Sequence, residues 1–153
     1  MADNPREQLM QERREQRHQS RLGQTYARFI TELSARGRMG PQQAEQAAVA
    51  VLSVLKLRLF GGEARDLESQ LPQRLQELLQ DQPSELPGEP PANFGADEFL
   101  RRVAKKLGVS YEEAERTARV VFWVVRDTID EGEAHDVEAQ LPPDLWELWA
   151  LES

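Results

Sequence analysis

The 153-residue chain contains no cysteine. Structural disulfides, zinc–thiolate sites and thiol nucleophiles are therefore excluded. Histidine is scarce: only His18 and His135 occur, far apart in sequence. Long apolar runs are missing too. None is longer than the six residues of Val120–Val125, far too short to span a bilayer. Met1–Gln24 is rich in Gln, Arg and Glu and holds no apolar stretch, unlike a secretory leader. No phosphate-binding loop, nucleophile elbow or dinucleotide glycine pattern is present. These absences point to a soluble, bacterial-type cytoplasmic protein with no membrane span and no cofactor.

What the chain has is charge, unevenly spread. The net charge is −8. Residues 1–25 and 26–80 each carry +1, residues 81–95 carry −3, and residues 96–153 carry −7. An acidic chain repels phosphate backbones, so nucleic-acid binding is disfavoured. Small basic clusters remain at Arg13-Arg14 and at Arg101-Arg102 with Lys105-Lys106. Solvated helix faces explain them.

The chain also has a repeat. Glu63-Ala64-Arg65-Asp66-Leu67-Glu68-Ser69-Gln70-Leu71-Pro72 returns seventy positions later as Glu133-Ala134-His135-Asp136-Val137-Glu138-Ala139-Gln140-Leu141-Pro142. Aligned without gaps, residues 26–80 and 96–150 agree at seventeen of fifty-five positions, far above chance. The expected architecture is all-α: two tandem four-helix pseudo-repeats packed together as a helical bundle. Repeat 1 spans 26–80 and repeat 2 spans 96–153. A charged arm (1–25) precedes them, and a proline-rich connector (81–95) joins them. A unit of about fifty-five residues is marginal alone, so the two central helices should share one interface.

Periodicity places four helices in each unit. The first covers 26–36 and 96–107, where Phe99, Leu100, Val103 and Leu107 form one stripe. Gly95 suits its cap, and Phe94 can staple onto Phe99. The second covers 41–60 and 111–130, opened by Gly40-Pro41 or by the capping box Ser110-Tyr111-Glu112-Glu113. Val120-Val121-Phe122-Trp123-Val124-Val125 alone reads as a strand. Its counterpart is the alanine-rich Ala50–Leu55, so both are expected to be helical. Both are apolar on more than one face, as central helices are. Gly61-Gly62 and Gly132 should break this helix. Glu63 and Glu133 then start a short third helix, and Leu-Pro corners lead into a fourth.

The second unit resembles the bacterial and archaeal family called domain of unknown function 2267. The resemblance lies in Phe99-Leu100-Arg101-Arg102-Val103-Ala104, Glu113-Ala114-Glu115-Arg116, Gly132-Glu133-Ala134-His135-Asp136-Val137 and Gln140-Leu141-Pro142. The first copy matches through Ala44-Glu45, Gly62–Leu67 and Gln70-Leu71-Pro72. It covers about 26–150 and implies an all-helical fold in two copies. It implies no activity, cofactor or catalytic residue.

Candidate sites follow from residue chemistry. Glu131, Glu133, His135 and Asp136 are the candidate metal ligands. On a helix, Glu133 and Asp136 share a face while His135 points away, so helix-start electrostatics is the simpler expectation. Glu45 and Glu115 open the central helices and are expected to pair with arginines of neighbouring helices, such as Arg28 or Arg102. Gln70 and Gln140 are expected to satisfy the backbone at their own proline corners. Trp123 and Trp146 stand where the first copy has Ser53 and Gln76, so the second copy covers or presents extra apolar surface. Trp149 replaces Leu79 in the core.

The expected function is a non-catalytic protein-interaction module: an adaptor, scaffold subunit or regulator. Trp123, Trp146, Arg101 and Arg102 are its contact candidates, for a protein partner or for self-association. The alternative is an enzyme or sensor for a small molecule or metal, with Glu45, Glu115, Glu133 and Asp136 lining one pocket. A third class, nucleic-acid binding through Arg13, Arg14, Arg17 and Arg21, is the least favoured.

Overall fold

The computed structural model describes residues 25–82 and 94–150. Among them are eight helices and no strand. Helix α1 covers 25–37. It is followed by α2 (Pro41–Arg58), α3 (Glu63–Ser69), α4 (Gln73–Gln80), α5 (Ala96–Leu107), α6 (Tyr111–Thr128), α7 (Glu131–Ala139) and α8 (Pro143–Ala150). All of the expected arm but Thr25, and most of the connector, lie outside the described residues. So do the arginines at 13, 14, 17 and 21.

The valine-rich segment is helical, as expected: residues 120–125 lie inside α6. Burial on several sides overrides local β preference there. Ala118, Val121, Phe122 and Val125 are all fully buried. In α2 the same is true of Ala44, Ala48, Val51, Leu52, Val54 and Leu55. Around this pair, α5 packs on both α2 and α6, α4 packs on α2, and α8 packs on α6 and α5. Helix α3 meets α7. One apolar core draws on both 25–82 and 94–150. An aromatic chain runs through it: Phe94, Phe99, Phe122 and Trp149, with successive ring centroids 6.5, 5.6 and 5.3 Å apart. The Phe94–Phe99 staple and the core place of Trp149 agree with the sequence reading.

Capping explains the boundaries, and corrects some expectations. Helices α2 and α6 stop two residues early, at Arg58 and Thr128. Leu59 and Ile129 turn extended there and bury their side chains in the core. Gly132 does not break a helix; it lies within the first turn of α7. The Asp130 side chain accepts from the Glu133 N–H at 2.7 Å and starts α7 at Glu131. The matching residue, Phe60, has no such acceptor, and left-handed Gly61 and Gly62 lead into α3 instead. Only half of the capping box forms. Ser110 Oγ accepts from the Glu113 N–H at 3.1 Å, but the Glu113 carboxylate binds Arg116 at 2.7 Å rather than reaching back. At Gly95, which has no side chain, Asp144 of α8 accepts from the Ala96 N–H at 3.0 Å.

Helices α1 and α5 end alike. The N–H of Met39 donates to Ser34 O and that of Val109 to Ala104 O, both at 3.1 Å. Each closure needs a left-handed residue. Gly108 supplies it after α5, whereas Arg38 adopts φ 54° after α1.

Candidate functional site

The least ordinary chemistry lies where α3 and α7 meet. Each helix carries in its first turn an acid followed by a second acid three residues on, Glu63/Asp66 and Glu133/Asp136, so each pair shares a face. Glu63, Glu133 and Asp136 offer carboxylate oxygens that all lie within 4.8 Å of one another. Glu63 and Glu133 are only 8% and 7% exposed, while Asp136 faces solvent. Glu63 Oε1 and Glu133 Oε2 are sealed from solvent and have no hydrogen-bond partner. Burial pushes the Glu133 carboxyl up to about 8, helped by its contact with the Glu63 carboxyl and by the charges of Glu63, Asp66 and Asp136. Buried like charges disfavour joint ionisation, so at neutral pH this group holds a proton or needs another cation.

Of the sequence candidates, Glu133 and Asp136 therefore come together, and His135 stays on the exposed side. The missing member was Glu63, seventy positions away. The repeat carried a signal for it: Glu63 is the position that matches Glu133 in the seventy-residue alignment. Two glutamines frame the cluster. Gln70 Oε1 accepts from the Asp130 N–H at 2.8 Å and Gln70 Nε2 donates to Asp130 Oδ2 at 2.9 Å. Gln140 treats Phe60 likewise, accepting from its N–H at 2.9 Å and donating to its carbonyl at 3.0 Å. Each reaches across to the other half of the chain rather than to its own proline corner. The expected local role is corrected: those corners already bond within the chain, through Gln70 N–H to Leu67 O and Gln140 N–H to Val137 O.

Glu45 and Glu115 are not part of this cluster. Glu45 accepts a hydrogen bond from the Tyr26 hydroxyl and borders a cavity of about 460 Å³ with Val49, Leu78, Lys106 and Leu107. Burial pushes the Tyr26 hydroxyl up to about 12, aided by Glu45 and opposed by Arg74. Glu115 binds Arg119, one turn further along α6, at 2.9 Å. Neither takes the arginine expected from sequence. Arg102 is held by Glu98 at 3.2 Å and lies 4.5 Å over the Phe94 ring. Arg28 lines a separate cavity of about 250 Å³ with Glu32, Arg36 and Asp127.

The two tryptophans fare differently. Trp123 is half-buried beneath Arg36 of α1, whose guanidinium lies 4.1 Å from the ring centroid and also binds Glu32 and Asp127. Trp146 is 45% exposed on the outer face of α8. The matching Gln76 is half-buried and donates to Leu71 O at 2.8 Å. Arg101 is exposed and bound to Asp97 at 3.1 Å. Among the described residues, no helix is long and apolar enough to cross a membrane.

A search of curated proteins found no match. The sequence matches the family described as "Uncharacterized conserved protein (DUF2267)" over residues 26–148. That match spans most of the chain, the cluster at α3 and α7 included, and the chain belongs to this family.

Proposed function

We propose that this protein is a non-catalytic helical interaction module, an adaptor, scaffold subunit or regulator of the cytoplasm, built from two tandem copies of a four-helix unit. The paired helix spans support the duplication: α2 and α6, and α4 and α8, are offset by seventy residues at both ends. On this reading the copies have diverged, and the second has become the contact copy. It carries the excess acid and the tryptophans.

One observation carries the reading. Trp146 presents its indole to solvent where the first copy has a glutamine that seals the backbone. An exposed tryptophan on the more acidic copy makes an apolar anchor, and tryptophan dominates binding hot spots. Trp123, gripped by Arg36, is the weaker candidate. Arg101 adds a charge on α5.

The test is Trp146→Gln, which restores the first copy's residue. Affinity capture and solution mass are compared with wild type. Loss of a captured protein or of a dimer mass, with melting temperature unchanged, supports the contact surface. A variant that keeps every partner and the same mass removes it.

A further inference from the structure

We propose that Glu63, Glu133 and Asp136 form a binding site for a hard divalent cation at the junction of α3 and α7. The inference is independent of the Trp146 surface.

An acidic helix start is commonplace, and these residues would mean little if they were solvated. They are not. Glu63 and Glu133 are more than nine-tenths buried. Each also has one fully enclosed oxygen, Glu63 Oε1 and Glu133 Oε2, without a hydrogen-bond partner. The great majority of buried polar atoms have a partner, and an unsatisfied charged acceptor costs more than a neutral one. Two such oxygens in one carboxylate cluster are satisfied by a proton held between the carboxyls or by a metal ion that displaces it. The neighbouring charges that act on Glu133 come from Glu63, Asp66 and Asp136, all negative.

The donor set selects the ion. All three ligands are carboxylates, and no thiol or imidazole takes part, so the site fits oxygen-seeking Ca²⁺, Mn²⁺ or Mg²⁺. Oxygens bound to one such ion lie no more than about 4–5 Å apart, twice the metal–oxygen distance. The oxygens here fall within 4.8 Å. Exposed Asp136 gives the ion a route from solvent, and water would fill the remaining positions. Because Glu63 and Glu133 belong to different halves of the chain, the ion would clamp α3 to α7.

The probe is Mn²⁺ added to the full, chelator-stripped chain. Binding is read by electron paramagnetic resonance, with Ca²⁺ and Mg²⁺ as competitors. The expected result is one saturable site per chain and a raised melting temperature. Glu133→Gln and Glu63→Gln should weaken binding at least about tenfold, since loss of even an outer partner typically costs about 10–100-fold. Asp136→Asn, on the surface and harmless to folding, should weaken it too. Exposed Glu112→Gln should not. Glu133→Gln has a second signature: at neutral pH without metal it melts higher than wild type, because the amide stays neutral where the folded carboxyl must hold a proton that the unfolded chain releases. Absence of saturable binding by wild type overturns the proposal. So does binding that all three variants retain.

Discussion

Gln140 grips the Phe60 peptide from both sides, its amide accepting from the N–H at 2.9 Å and donating to the carbonyl at 3.0 Å. Gln70 does the matching work at residue 130. These reciprocal bonds tie the end of each long helix to the opposite half, around the buried carboxylates. Phe60 itself is 52% exposed, so its side chain contributes little to this joint. Replacing Gln140 by Ala leaves two backbone groups without this partner. We expect a loss of about 1–3 kcal/mol, read as a lower urea midpoint. The Gln70→Ala, Gln140→Ala double variant should lose less than the sum if the two bonds hold one joint.

Glu133 predicts a pH dependence. Its folded value, about 8, lies above the ordinary 4.5. The folded state therefore binds more protons than the unfolded state between those values, and stability falls as pH rises. The contribution is complete below pH 4.5 and lost toward pH 8. In chelator, the stability difference between wild type and Glu133→Gln should move in the variant's favour across that window. A difference that stays flat with pH would refute the assignment.

Tyrosine titration tests the α1–α2 contact. The chain has two tyrosines. Burial and Glu45 push Tyr26 up to about 12, and burial and Asp97 push Tyr111 up as well. Ionisation is favoured in the unfolded state, so stability should drop as pH climbs above 10. Tyr26→Phe should remove the ultraviolet transition near pH 12 and leave that of Tyr111.

Arg38 carries a left-handed conformation that the other half assigns to Gly108. Such a conformation costs a non-glycine residue about 1–2 kcal/mol. Arg38→Gly should therefore stabilise by up to about 1 kcal/mol, after the added freedom of glycine in the unfolded chain is subtracted. A thermal melt decides it, and a destabilised variant would deny the strain.

Phe122 is fully buried between Phe99 and Trp149. Truncation to Ala should cost about 3–5 kcal/mol. Arg36→Ala should cost less, about 1–2 kcal/mol for a largely buried cation over an indole, while changing Trp123 fluorescence.

Much of the fold was legible because the same pattern is written twice. The valine-rich stretch at 120–125 reads as strand by propensity alone, and its alanine-rich counterpart corrects that. Fine boundaries were not legible. Whether Gly132 breaks a helix depends on whether Asp130 caps the turn, which is a matter of side-chain geometry. The partners of Glu45 and Glu115 were misjudged for a similar reason: several arginines lie within plausible reach, and packing brought Tyr26 to one glutamate and Arg119 to the other.

Amphipathic spacing, turn residues and the seventy-residue echo can be read along the chain without its fold, and they specify helices, corners and core. The meeting of Glu63 with Glu133, and the crossing of Gln70 and Gln140 to the opposite half, are not local. They arise because burial of α2 and α6 in one core brings α3 against α7, so side chains far apart in sequence share one low-dielectric space. Helix formation needs only neighbours along the chain, whereas carboxylate pairing needs the whole bundle.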